Sequence, residues 1–99
     1  MSKQFGIGLR IKERVDLESK QAGKILTTTE IHVPDDCVGI VAIRRSYGNK
    51  GIFNTSQILW PGFKGYPELH VANMSGTTVE LIEGETIAHV AIVKAQDLN

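Results

Sequence analysis

The segment from residue 34 to residue 93 is a succession of short apolar stretches separated by glycine, proline and asparagine turns. In residues 69–73 every second residue falls on one face, with Leu69, Val71 and Asn73 opposite His70 and Ala72, and residues 79–81 alternate in the same way, which is typical of strands. Residues 38–43 are nearly all apolar, a pattern that indicates a strand buried on both faces. Because no stretch keeps apolar residues at spacings of three and four, the sequence predicts an all-β sandwich or barrel with many short strands and little helix.

The remaining segments differ in how strongly they predict strands. Residues 5–12 alternate, and residues 24–33 are rich in β-branched side chains, so both predict strands. Residues 13–24 are charged and carry little periodicity, so this segment could hold a helical turn, but residues 21–24 are more typical of a loop. Residues 44–51 predict a polar loop with two glycines. The polar residues 94–99 predict a loose tail.

The composition limits the classes of protein to consider. A chain of 99 residues has room for a single domain, residues 1–99. Lys+Arg 11 balances Asp+Glu 11, so the sequence carries no strong nucleic-acid signal and no attraction to a membrane surface. The single cysteine, Cys37, excludes an internal disulfide and is interpreted as a buried strand residue in a reducing compartment. With no apolar leader or membrane-length stretch, we expect a cytoplasmic protein, in the host cytoplasm or the virion if the source is viral.

Between residues 25 and 93 a set of short motifs occurs in a fixed order. The set comprises Thr28-Thr29-Glu30, Pro34 with Gly39 five residues later, Arg44-Arg45-Ser46, Trp60-Pro61-Gly62-Phe63-Lys64-Gly65, Leu69-His70-Val71-Ala72-Asn73 and Gly84-Glu85-Thr86-Ile87-Ala88-His89. This order resembles the core of the dUTPase/dCTP deaminase superfamily, and the Pro-Gly-Phe-x-Gly form leans towards the deaminase branch. The resemblance implies a compact distorted β-barrel of the dUTPase-like β-clip type. It also implies a homotrimer with active sites between subunits.

The resemblance assigns candidate ligand-binding residues to two of these motifs. In the enzymes the Arg-Ser loop binds triphosphate, as expected of a cation, a hydroxyl and exposed amides. Here Arg44 matches the family arginine, Ser46 matches the second serine, and Arg45 replaces the first serine. The implied ligand-binding set is Arg44, Arg45, Ser46, Tyr47, Gly48, Trp60, Gly62 and Phe63. A plain exposed turn is the alternative interpretation for the arginines, and packing in a subunit interface is the alternative for the aromatic rings.

The catalytic positions of the family hold other residue types in this chain. In dUTPases an aspartate of the third motif activates water, and in the deaminases a glutamate on the Leu-x-Leu strand transfers protons. The matching positions hold Trp60, which cannot take a proton, and His70, the only catalytic candidate. A histidine that packs or hydrogen-bonds in an interface is the other interpretation of His70. Whether the chain is an enzyme stays open, and the replaced carboxylates favour an inactive protein.

Three functions follow from this reading of the sequence. The first is a catalytically inactive homotrimer that binds a nucleotide or a protein partner at the groove between subunits. The second is a minimal active dUTP diphosphatase or dCTP deaminase that uses His70 or Asp16 as its base. The third is a trimeric structural protein that decorates a viral particle. No cofactor is expected, since the histidines and Cys37 lack metal-ligand spacing, and Mg²⁺ is expected only together with a bound nucleoside triphosphate.

Overall fold

A computed structural model describes residues 6–55 and 58–95 of the chain. Its secondary structure consists of β1 (Ile7–Arg10), β2 (Val15–Leu17), β3 (Ala22–Leu26), β4 (Ile31–His32), β5 (Cys37–Ile43), α1 (Arg45–Gly48), β6 (Ile52–Asn54), β7 (Ile58–Leu59), β8 (Lys64–Gly65), β9 (Glu68–Asn73), β10 (Val79–Leu81) and β11 (Thr86–Lys94). The predicted all-β class with little helix is confirmed. Residue 5 of the first predicted strand and residues 96–99 of the predicted tail lie outside the described residues. Lys94, the first residue of that tail, is the last residue of β11.

The strands form four antiparallel sheets around one core. The largest sheet has the order β1-β11-β5-β7, and a second sheet has the order β3-β9-β6. Two further pairs join β10 to β2 and β4 to β8. The longest ladder joins β11 to β5, from the pair of Ala88 with Ile43 to the pair of Lys94 with Cys37. Within the described ranges the sheets pack against each other without closing into one continuous barrel, so the distorted barrel expected from the sequence is an open one.

The core collects apolar side chains from all four sheets. Its fully buried members include Leu9, Ile11, Ile25, Ile31, Tyr47, Ile52, Leu69, Leu81, Ile87 and Val90. The alternation predicted for β9 and β10 is confirmed, because their apolar residues are buried and the residues between them are exposed or half-buried. Cys37 is buried, as interpreted from the sequence. No helix in the part of the chain that the structure describes is long and apolar enough to cross a membrane.

For residues 13–24 the sequence predicted a possible helical turn and a loop at residues 21–24, and this is wrong over two segments. β2 lies within this range and pairs with β10, and β3 begins within it and pairs with β9. Both partners lie far along the chain, and such pairing overrides a weak local pattern. Lys20 sits between the two strands with φ 65°, a left-handed conformation that is uncommon for a residue with a side chain. The Lys20 ammonium donates to the Met74 carbonyl over 2.7 Å, so the turn is bonded to the chain beyond β9.

The burial on both faces predicted for residues 38–43 holds for only part of β5. Val38, Gly39 and Val41 are buried, whereas Ile40 is half-buried and Ala42 is exposed. A strand in the middle of a sheet has two faces, and the core covers the inner one. The outer face of β5 is therefore covered at Val38, half-covered at Ile40 and open at Ala42 in a single chain.

Asn73, at the end of β9, joins three separate parts of the fold. Its side chain is fully buried, and its Nδ2 donates to the Leu17 and Thr77 carbonyls over 2.8 Å each. Its Oδ1 accepts from the Ser75 backbone amide at 2.9 Å and from the Ser75 hydroxyl at 2.6 Å. Buried polar groups stabilise a fold only when they are paired, and all the capacity of this amide is used.

We expect the Asn73→Ala substitution to lower the free energy of unfolding by about 2–4 kcal/mol, since it leaves buried carbonyl and amide groups without partners. Ser75→Ala removes the hydroxyl bonds alone and should cost about 1 kcal/mol. Urea unfolding of both variants at one protein concentration measures the difference. Equal losses for the two variants would contradict the central role of the Asn73 amide.

Candidate functional site

The turn after β5 presents polar side chains to solvent. The Arg44 amide donates to the Ile87 carbonyl over 2.8 Å, so β11 fixes the point where the turn begins. The Tyr47 amide donates to the Arg44 carbonyl over 3.0 Å, and the chain forms the short helix α1 where a polar loop was predicted. The side chains of Arg44, Arg45 and Ser46 are exposed, as is Gly48 next to them.

Tyr47 anchors this turn to the protein. Its side chain is only 2% exposed, and its hydroxyl donates to the Glu85 carboxylate in the turn between β10 and β11. The same hydroxyl accepts from the Ile82 amide over 3.4 Å. Burial and, second, the hydrogen bond to Glu85 raise the pKa of Tyr47 above its ordinary value. The phenol is thus bonded within the chain, and it holds α1 in place.

A second group of predicted ligand-binding residues lies on the connection between β7 and β8. Trp60 and Phe63 close a four-residue turn, with the Phe63 amide donating to the Trp60 carbonyl over 3.0 Å. Gly62 has φ 85°, which the third position of a type II turn requires and which only glycine adopts without strain. The Gly62 amide donates to the Val33 carbonyl over 2.9 Å, so the turn is held against the segment before β5. Trp60 is 69% exposed.

The two groups lie at opposite ends of β5. Leu59, next to Trp60, pairs with Gly39 near the beginning of β5, whereas Arg44 follows its last residue. Gly39 and Arg44 are five residues apart, which corresponds to roughly 16 Å at the rise of an extended strand. One chain therefore does not bring the eight predicted ligand-binding residues into a single site.

His70, the catalytic candidate, lies on a different sheet. It is exposed in the middle of β9 and pairs with Lys24 of β3. Its carbonyl accepts from the Thr55 amide and hydroxyl over 2.7 and 2.8 Å. Lys24 in turn lies 3.7 Å from the Glu68 carboxylate, in an exposed ion pair that contributes little to stability. In the single chain His70 is thus separated from both groups of predicted ligand-binding residues by belonging to another sheet.

The largest sheet carries an apolar surface made of residues that the sequence analysis did not assign to any site. Paired residues share one face of a sheet, so Ile40, Ala91 and Ile58 lie together, because Ile40 pairs with each of the other two. Ala42 and Val93 extend the same face, which we call the outer apolar face. These five side chains are half-buried or exposed. The uninterrupted apolar run of residues 38–43 was the signal for this surface, and apolar patches of this kind are typical of protein–protein contacts.

The sequence model of the family described as dUTPase matches residues 2–99 of the chain. The dCTP deaminase of Pyrococcus horikoshii is 30% identical over 84 residues, which are 85% of this chain and 54% of that protein. The dCTP deaminase of Pyrobaculum islandicum is 34% identical over 74 residues, 73% of this chain and 42% of that protein. The chain thus spans about half the length of the curated relatives it matches.

Several solved structures share the fold. The EIAV dUTPase superposes with a TM-score of 0.84 at 23% identity, over 93% of this chain and 77% of that chain. The dUTPase of phage phi11 of S. aureus gives a TM-score of 0.84 at 18% identity, over 95% and 79%. The dUTPase of Staphylococcus bacteriophage 80alpha, solved with dUpNHpp, gives 0.83 at 17%, over 95% and 72%. At these identities the likeness concerns the fold alone, and it confirms the dUTPase-like fold expected from the order of motifs.

We expect Tyr47→Phe to lower the free energy of unfolding by about 1–2 kcal/mol at neutral pH, because the ring still fills the core while the bond to Glu85 is lost. The raised pKa of Tyr47 sets the pH range of this difference. The stabilisation is complete below the ordinary tyrosine pKa of 10.0 and is lost as the pH rises through the higher pKa of the folded state.

Denaturant unfolding of both proteins between pH 7 and pH 12 measures this effect. The difference between wild type and variant should be constant up to about pH 10 and should shrink above it. Tyr66 is exposed and present in both proteins, so it does not contribute to the difference between them. A difference that does not change with pH would show that the phenol bond is not the source of the stabilisation.

Proposed function

Because this chain belongs to the dUTPase family, we propose that it forms a homotrimer that binds a deoxynucleotide between its subunits without converting it. The observation that carries the proposal is the position of the two groups of predicted ligand-binding residues at opposite ends of β5. They can form one site only when the Arg44 end of one copy meets the Trp60 end of another. A contact between two different surfaces of the same protein closes into a ring, and three copies are the assembly that the family resemblance implies.

The outer apolar face supports self-association. A chain of 99 residues buries a small fraction of its surface, and a partner copy can cover apolar area that the fold leaves open. Covering this face would stabilise the protein in proportion to the apolar area removed from water. The folded state would then be most stable as the assembly.

The exposed turn at α1 supports phosphate binding. Two guanidinium groups and one hydroxyl, from Arg44, Arg45 and Ser46, are exposed side by side. Arginine binds phosphate oxygens through paired charge-assisted hydrogen bonds. A triphosphate is the deoxynucleotide form with the most such oxygens, and any Mg²⁺ would enter together with it. In the assembly, the turn of the neighbouring copy that carries Trp60 would border this phosphate-binding turn.

The side chains at the catalytic positions support binding without turnover. Trp60 stands where the resemblance places a water-activating aspartate, and an indole has no group that accepts a proton. His70 stands where it places the deaminase glutamate, on the exposed face of β9 beside the cationic Lys24.

Calorimetric titration of the full chain with dUTP, dCTP and dUpNHpp tests this proposal, with the same samples assayed for pyrophosphate and ammonia. We expect saturable binding and no product. Arg44→Ala combined with Arg45→Ala should weaken binding by about tenfold or more, through loss of charge-assisted bonds to phosphate. Arg10→Ala combined with Lys12→Ala, which removes the same charge from exposed positions on and just after β1, is the matched control. Release of pyrophosphate or ammonia would overturn the inactive assignment, and equal losses in both double variants would overturn the assigned site.

The trimer has a separate test in analytical ultracentrifugation. We expect the wild type to sediment at three times the mass of the chain. Ala42→Glu places a charge on the outer apolar face and should shift the protein to the monomer, because burying an unpaired carboxylate is costly. Ala22→Glu, on an exposed position of β3, should leave the trimer intact. A monomeric wild type at micromolar concentration would refute the proposed assembly.

A further inference from the structure

Trp60 is the single tryptophan of the chain, and it is 69% exposed at the tip of the turn between β7 and β8. A tryptophan buries roughly 150–250 Å² when it is covered, more than most other side chains. Tryptophan is also enriched among the residues that dominate binding energy at protein interfaces. Because most of its surface is exposed among the described residues, the ring is available to a second molecule.

An apolar groove of ≈ 400 Å³ lies at the other end of β5, beside α1. Its walls include Ile40 and Ala42 of β5, Phe53 of β6 and Gly48 of α1, and we call it the Phe53 groove. Phe53 is 56% exposed and offers a second aromatic surface. A Cβ added at Gly48 would have no atom within 4 Å, so this side of the groove is open.

The charges next to the tryptophan and next to the groove are opposite. Asp35 lies against the Trp60 turn, with its Oδ1 3.3 Å from where a Cβ of Gly62 would be, and it is exposed. Arg44 and Arg45 are exposed at the end of β5 where the Phe53 groove lies. Opposite charges at the two ends favour a head-to-tail contact between copies and disfavour contact between like ends. This complementarity identifies the occupant of the groove as a second copy of this chain.

The Phe53 groove is also continuous with the outer apolar face. Ile40 and Ala42 belong to both, so one copy that covers the face also reaches the groove. We propose that the Trp60 indole of each copy docks into the Phe53 groove of the next, with the arginines of α1 beside it. This inference rests on the proposed self-association and names the contact that makes it. Aromatic rings pair through offset or edge-to-face contacts, and an arginine next to an indole adds a cation–π attraction.

Fluorescence tests the contact directly, because Trp60 is the only tryptophan in the protein. In concentrated wild-type samples, emission should be shifted to shorter wavelength and resist acrylamide, and dilution to the monomer should reverse both changes. Trp60→Ala should raise the concentration of half-assembly by about tenfold or more, as expected of a central interface aromatic. Tyr66→Ala is the matched control, since Tyr66 is 59% exposed but lies outside the groove and the turn.

A second variant, at Gly48, fills the groove and leaves the tryptophan unchanged. Gly48→Leu occupies open space and has no left-handed φ to strain, so the monomer should keep its fold. The variant should show the emission of an exposed indole at concentrations where the wild type is assembled.

Sedimentation of the same samples separates this inference from the proposed trimer. An assembled wild type whose tryptophan remains fully exposed would overturn the docking and leave the trimer intact. A buried tryptophan that Gly48→Leu does not release would overturn the groove as its location. A wild type that is monomeric at every concentration would overturn the assembly and the docking together.

Discussion

β5 carries apolar side chains on both of its faces, and its own chain covers fully only one of them. The inner face joins the core through residues such as Val41, which pairs with the buried Val90 of β11. The outer face presents Ile40 and Ala42, which are half-buried and exposed. The turn at α1 and the turn that carries Trp60 lie at opposite ends of β5, so the length of this strand keeps them apart. The core, the open apolar face and the division of the candidate site therefore all depend on how β5 is placed between β11 and β7.

The parts of the fold that the sequence predicted are those with a strong local pattern. Alternation over residues 69–73 and 79–81 identified β9 and β10, because a strand with one wet face carries a pattern of period two. β2 and the first two residues of β3 escaped prediction, since their order comes from partners more than 40 residues away and from the Asn73 bonds that tie the segments together. A glycine is the usual signal of a left-handed turn residue, and here Lys20 occupies that conformation.

The sequence predicted the individual residues of the candidate site, but not how they are arranged in space. The order of motifs identified Arg44, Arg45 and Ser46, and the structure presents all three to solvent. The eight predicted ligand-binding residues fall into two groups because of the register that pairs Gly39 with Leu59. These two residues are 20 positions apart, and no local pattern determines a register between such strands. The anchoring of Tyr47 depends in the same way on Glu85, 38 residues later in the chain.

Trp60 connects the proposed lack of catalysis with the proposed assembly. Asp35 lies against the turn that carries Trp60, with its Oδ1 3.3 Å from where a Cβ of Gly62 would be, so a carboxylate at position 60 would add to the negative charge of that turn. An indole accepts no proton, and it gains free energy when it leaves water for an apolar groove. In the proposed function the same side chain stands where the resemblance places a base, and it supplies an apolar contact surface at that end of β5. In the proposed function, neither assembly nor phosphate binding depends on a carboxylate at position 60, so a packing group can stand there without loss of either.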